Sequence, residues 1–107
     1  MISREDDQAR RRLFIRPAAR RDLARTFRWY ERRVEGLGNE FLRAASVTLS
    51  AIQRAPEQYP VVFEDVQRAV MRRFPYVVDF AALSDDVIAV IAVMHGRQHP
   101  QRWQLRR

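Results

Sequence analysis

The stretch Val87–Met94 reads VIAVIAVM, eight apolar residues without interruption. It is far shorter than the roughly 20 residues that cross a bilayer. Its valines and isoleucines favour a pleated strand. A strand that is apolar on both faces belongs inside a sheet, covered on both sides. The rest of the chain therefore has to build a sheet around this run and a layer against it.

The preceding residues supply both. Leu13-Phe14-Ile15 is a short apolar run stopped by Arg16-Pro17, which predicts a short strand, and Pro17 suits the first turn of a helix. Ala19, Leu23, Phe27, Tyr30 and Val34 recur at spacings of four, four, three and four, one apolar stripe on a helix running to about Glu35. Gly36-Leu37-Gly38-Asn39 ends that helix, and Asn39 is expected to cap the next. The second helix carries Leu42, Ala45, Leu49 and Ile52 and stops at Pro56. So short a connection predicts an antiparallel helical hairpin. Val66–Met71 and Tyr76–Ala82 read as strands separated by Arg72-Arg73-Phe74-Pro75, with Ser84-Asp85-Asp86 as the turn before Val87. The predicted order is β-α-α-β-β-β followed by a basic C-terminal tail. The fold class is α+β, an antiparallel-type sheet of about four strands packed on an N-terminal helical hairpin. Residues 1–12 are expected to form a flexible lead-in, and residues 13–107 a single domain.

Composition narrows the chemistry. A chain of 107 residues buries roughly two thirds of its unfolded surface, enough for a real core. It has no cysteine, which excludes disulfides, thiolate metal sites and thiol nucleophiles. The net charge is +7, and all 20 basic residues are arginine. Arginine's planar fork of donors suits phosphates and carboxylates, and a basic excess suits a nucleic acid or an acidic protein. Arginine keeps its proton, so it cannot serve as a general base. Without lysine there is no Schiff-base chemistry. The charged N-terminus lacks an apolar h-region, so no signal peptide and a cytoplasmic location are expected.

The chain resembles the RelE/ParE superfamily of toxins from type II toxin–antitoxin systems. The resemblance runs from about Phe14 to Arg106. It is carried by Ala19, Asp22-Leu23, Trp29-Tyr30-Glu31, Gly36-Leu37-Gly38, Phe41-Leu42, Ile52, Pro56 and Tyr59-Pro60. Arg73-Phe74-Pro75-Tyr76, Val90 to His95, Arg97, Pro100, Trp103 and Arg106 complete it. The Phe-Pro-Tyr step after a helical hairpin, and the strand ending in histidine and arginine, look like the ParE-like side of the group. The resemblance implies a toxin that inhibits growth, serves plasmid stabilisation, and is neutralised by a cognate antitoxin. ParE-like members poison DNA gyrase by binding, whereas RelE-like members cleave mRNA in the ribosome. It implies operator DNA contact only through the antitoxin, and no membrane partner.

Two sets of residues follow for those two activities. A metal-free ribonuclease needs a base, cations for the phosphorane and an acid. The candidates are His95, with Arg68, Arg73 and Arg97 as phosphate contacts and Tyr76 as a stacking or donor group. The alternative for His95 is a strand-end histidine bonded to backbone. For antitoxin or target binding the candidates are Trp29, Arg72, Trp103, Arg102 and Arg106, since mixed aromatic–arginine surfaces make good hot spots. Trp29 reads equally as a rim residue of the core. His95 and His99 stand at i and i+4, but Gly96 and Pro100 break any helix between or beyond them, so no metal and no cofactor are expected.

Overall fold

A computed structural model describes residues 11–97. Strand β1 (Arg12–Ile15) leads into helix α1 (Pro17–Arg33) and helix α2 (Leu37–Arg54). A 3-10 turn (Pro56–Gln58) precedes β2 (Val61–Phe63), β3 (Val66–Val70), β4 (Tyr76–Ala82) and β5 (Val87–His95). The sheet order is β1-β5-β4-β3-β2. β1 pairs with β5 in parallel, and every other pair is antiparallel. The α+β class and the hairpin packed on the sheet match the expectation. The sheet itself differs in two respects: it has five strands rather than about four, and it is mixed. The added strand β2 is three residues long with Val61 and Val62 exposed, too short for an alternating pattern to register. β1 can lie parallel to β5 because the hairpin and three strands intervene, the long connection such a pair requires.

The hairpin turn is built differently from the expectation. Helix α1 ends at Arg33, Val34 is extended, and Gly36 is left-handed at φ 88°. Asn39 lies within α2, and no side chain of the N-cap residue caps the helix. Instead Glu31 reaches over from α1. The Gly36 N–H donates to its Oε2 at 2.8 Å, and the Gly38 N–H to its Oε1 at 2.9 Å. The carboxylate thus satisfies otherwise unpaired amides and sits at the positive end of the α2 dipole. Gly38 permits this approach, because a Cβ there would lie 2.7 Å from Phe27 Cδ1 and 2.8 Å from Glu31 Oε1.

The buried stripe of α2 is Gly38, Phe41, Ala45, Thr48 and Ile52. Leu42, expected in the core, is 38% exposed. Phe41 takes the inward place because its ring packs edge-on against Phe74 and Tyr76, at 5.5 and 5.4 Å between centroids, and lies tilted against Tyr30 at 5.7 Å. Burial pushes the Tyr30 hydroxyl's pKa above its ordinary value, and the neighbouring Tyr76 adds to the shift.

β5 is covered on both faces, as its composition requires. Ile88, Val90 and Val93 join the main core beneath the helices. Ile91, Ala92 and Met94 join Val66, Ala81 and the partly buried Phe63 in a second cluster, on the opposite face by the pleat. A bulge serves both: Asp79 pairs with Ala92 but Phe80 with Val90, leaving Ile91 as the extra residue. The parallel partner β1 stops opposite Val90. Past that point the Val93 N–H donates to Oδ2 of buried Asp22 on α1, at 3.0 Å. Arg25 Nη2 donates to the other carboxylate oxygen at 2.8 Å.

Two outcomes follow. Asp22→Ala orphans the Val93 N–H and should cost about 1–3 kcal/mol in urea unfolding, with faster hydrogen exchange at Val93. Asp22→Asn, which keeps an acceptor, should recover part of that loss. Because the folded state raises the Tyr30 pKa, its contribution is complete below the ordinary tyrosine value of about 10 and is lost as pH climbs through the raised one. Alkaline melts of Tyr30→Phe should show a shallower fall in stability than the wild type.

Candidate functional site

The groups proposed for phosphate chemistry do not all converge: His95 lies beside Tyr76 and the Arg97 backbone, while Arg68 faces away from them. His95 closes β5 directly opposite Tyr76 on β4, their rings 5.4 Å apart and edge-on. The Arg97 N–H donates to His95 Nδ1 at 3.2 Å, so that nitrogen presents its lone pair to backbone. Arg68 lies on β3 opposite Asp79. Its Nε donates to Asp79 Oδ1 at 2.8 Å and its Nη2 to Oδ2 at 3.1 Å. This two-pronged bond, outweighing the opposing effect of burial and joined by attraction to the carboxylate, raises the Arg68 pKa. The Asp79 side chain is completely buried. By the alternation along β4, Asp79 and Tyr76 point to opposite faces of the sheet. Arg68 therefore faces away from His95 with its fork already filled. Arg73, at a left-handed φ of 74° in the β3–β4 turn, bonds Glu40 of α2 through Nη2 at 2.9 Å.

A second region does converge. The solvent side of α2 and the end of β3 enclose an open groove of about 570 Å³. Its floor is Ala44, Val47, Thr48 and Ala51 of α2, with Tyr59 and Val70 on the far side. Val47 is 66% exposed and Val70 72% exposed, so apolar surface faces solvent there. Four arginines line the same groove, Arg43 and Arg54 from α2 and Arg72 and Arg73 from the turn after β3. Glu40, also in the lining, is paired with Arg73. The arrangement offers an apolar strip bordered by cations, which fits a segment carrying both apolar and acidic side chains. Gln67 braces the groove's end wall, its Nε2 donating to the carbonyls of Pro56 at 2.6 Å and Tyr59 at 3.0 Å.

Of the residues expected to bind a partner, Arg72 lies in this groove. Trp29 lies elsewhere, on α1, half exposed with the Arg33 guanidinium 3.6 Å above its ring and Tyr30 edge-on beneath. Arg102, Trp103, Arg106 and His99 lie outside the described residues. Sequence reading missed Val47, Arg43 and Arg54. The available signal was a solvent-side valine on an amphipathic helix, with arginines four residues before it and seven after it, which places all three on one helical face. Among the described residues no group of three or more His, Cys, Asp or Glu side chains could hold a metal ion, and no helix is long and apolar enough to cross a membrane.

Comparison with known proteins gives three results. A family described as the ParE toxin of the type II toxin–antitoxin system parDE matches residues 13–100. No curated protein matches. Among solved structures, a chain of the chromosomal ParDE toxin–antitoxin system from P. aeruginosa superposes with a TM-score of 0.70 at 15% identity, covering 81% of this chain and 97% of that one. At that identity the likeness is one of fold.

Because Asp79 is sealed in, removing its partner strands a charge. Arg68→Met should cost about 3 kcal/mol in chemical denaturation, and adding Asp79→Leu to it should restore most of the loss. A loss of toxicity in Arg68→Met that the double variant reverses would assign Arg68 to the scaffold rather than to chemistry.

Proposed function

The chain belongs to the ParE toxin family of type II toxin–antitoxin systems, and from that premise we propose that a cognate antitoxin silences it by lying in the α2 groove, and that the free protein inhibits DNA gyrase by binding. The observation that carries the antitoxin half is the groove: exposed Val47 and Val70 between Arg43, Arg54 and Arg72. An antitoxin segment with leucine-like residues along one side and Asp or Glu along the other buries the first and answers the second. Such a contact keeps part of its strength in salt, because the apolar share is not screened.

The target half draws support from the engagement of Arg68 and Arg73 by carboxylates. A ribonuclease needs its base, acid and cations within reach of one phosphate. Arg68 is bound to Asp79 on one face of the sheet, His95 sits with Tyr76 on the other, and Arg73 is bound to Glu40. An inhibitor that acts by binding needs a surface rather than such a constellation.

Two experiments test this reading. Induced without antitoxin, the protein should abolish gyrase supercoiling and accumulate DNA breaks while transcripts stay intact. Rapid transcript cleavage with normal supercoiling overturns the gyrase target in favour of a ribosome-dependent mRNA endonuclease. Val47→Asp should weaken binding of the antitoxin encoded beside the gene at least tenfold, read by calorimetry, with an unchanged melting temperature because Val47 is already exposed. Unaltered antitoxin affinity removes the groove from the interface.

A further inference from the structure

The outer face of α1 differs in kind from the groove. The helix carries six arginines in 17 residues, with Asp22 and Glu31 as its acids. Both acids are turned to structural work, Asp22 on β5 and Glu31 on the hairpin turn. At 3.6 residues per turn, Arg21, Arg25, Arg28 and Arg32 fall within about 60° of one another and extend over about 16 Å of helix axis. All four are exposed. Among the described residues Arg21, Arg28 and Arg32 make no ion pair, and Arg25 spends one nitrogen on Asp22. Ala18 and Ala24 lie beside them and, with Arg21, Arg25 and Arg28, line a shallow trough. The large apolar neighbour Trp29 already has Arg33 over its ring.

A row of cations without an apolar anchor is poorly suited to a protein partner, whose binding energy concentrates in buried aromatic and aliphatic side chains. It is well suited to a polyanion with regularly spaced charge. We propose that the Arg21–Arg25–Arg28–Arg32 ridge of α1 is a binding site for the phosphate backbone of duplex DNA, independent of base sequence. B-form DNA presents one charge per about 1.7 Å of axis, so about 16 Å offers more phosphates than four arginines can meet. A helix of about 10–12 Å diameter fits the width of its major groove, about 12 Å. The deep, narrow major groove of A-form RNA excludes it. The ridge lies on a different helix from the antitoxin groove, and the proposal stands whether or not that reading holds.

The experiment compares two variants that each lose three charges. Arg21→Gln/Arg28→Gln/Arg32→Gln removes the ridge and leaves Arg25 on Asp22. Arg43→Gln/Arg54→Gln/Arg72→Gln removes the rim of the groove. Fluorescence anisotropy of the full chain with a labelled 20-base-pair duplex reads affinity from low to moderate salt. The ridge triple should lower the slope of log K against log [salt] by about 3, at roughly 0.9 per phosphate contact, and weaken low-salt binding at least tenfold. The groove triple should change the slope by less than one. A duplex of scrambled sequence should bind within twofold of the first. Equal losses in the two triples overturn the proposal, since net charge then explains the binding. Double-stranded RNA bound as tightly through the same residues overturns the choice of DNA. A ridge triple that loses affinity for an acidic, leucine-containing peptide but not for DNA overturns the ligand class. Arg28→Glu alone should lower DNA affinity severalfold, and it repeats the test should the triple fail to keep the wild-type circular dichroism.

Discussion

The hydrogen bond from the Val93 N–H to Asp22 Oδ2 is the joint on which the rest of the molecule is set. β5 needs partners on both edges, and β1 supplies one only as far as Val90. Beyond it the chain has turned away at Pro17 to begin α1, and the bulge at Ile91 redirects the backbone of β5. The amide of Val93 would be left unsatisfied in a buried place, at a cost comparable to a lost hydrogen bond. A helix running back over the strand can answer it with a carboxylate at one height only, and Asp22 stands at that height. That bond, together with Ala19, Leu23 and Tyr30 packed in the core, sets how α1 sits along β5. Glu31, nine residues on, then fixes where α2 begins. The position of the groove relative to β3, and the direction in which the α1 ridge faces, are consequences of those two carboxylates.

How much of this was legible in the sequence follows from how local each cause is. The β5 run, the β4 strand from Tyr76 to Ala82 and the two helices announce themselves through periodicity, which depends on residues a few places apart. Periodicity does not place Leu42 correctly because Phe41 and Leu42 are adjacent apolar residues, and the choice between them is made by Tyr30, Phe74 and Tyr76, which are distant in sequence. The local pattern points to Asn39 as the cap because the true acceptor, Glu31, belongs to the preceding helix. β2 left no pattern because three residues cannot show one. The parallel pairing of β1 was hidden because orientation is decided by what intervenes, not by the strand's own residues.

The site was legible in a different measure. Arg72, expected to bind a partner, lies in the groove, but the valine that gives the groove its apolar character sits on a helix face that periodicity assigns to solvent. His95, Tyr76, Arg68 and Arg73 form a group by their chemistry, on the expectation that side chains of neighbouring strands converge where β5 ends. The pleat takes Arg68 out of that group: a shift of one residue along β4 sends a side chain to the other face, and Asp79, invisible as a partner in sequence, holds Arg68 there through Nε and Nη2.

The acids decide what the arginines mean. A net charge of +7 describes the chain, but Asp22, Glu31 and Asp79 are withdrawn from the surface into bonds with backbone amides or with Arg68. Asp79 takes Arg68 with it, but Asp22 and Glu31 spend their charge on backbone amides and so leave the arginines of α1 less fully answered. The effect is uneven. Around α2, Glu40 neutralises Arg73 and apolar side chains separate the other guanidiniums, so charge there orients a partner that apolar contact holds. Along the outside of α1 the row is flanked by small alanines and by Trp29, which already carries Arg33 over its ring, so charge dominates the attraction. Two basic surfaces on one small domain thus differ in what they can hold. The difference arises from the same structural bonds that close the hairpin and dock it on the sheet.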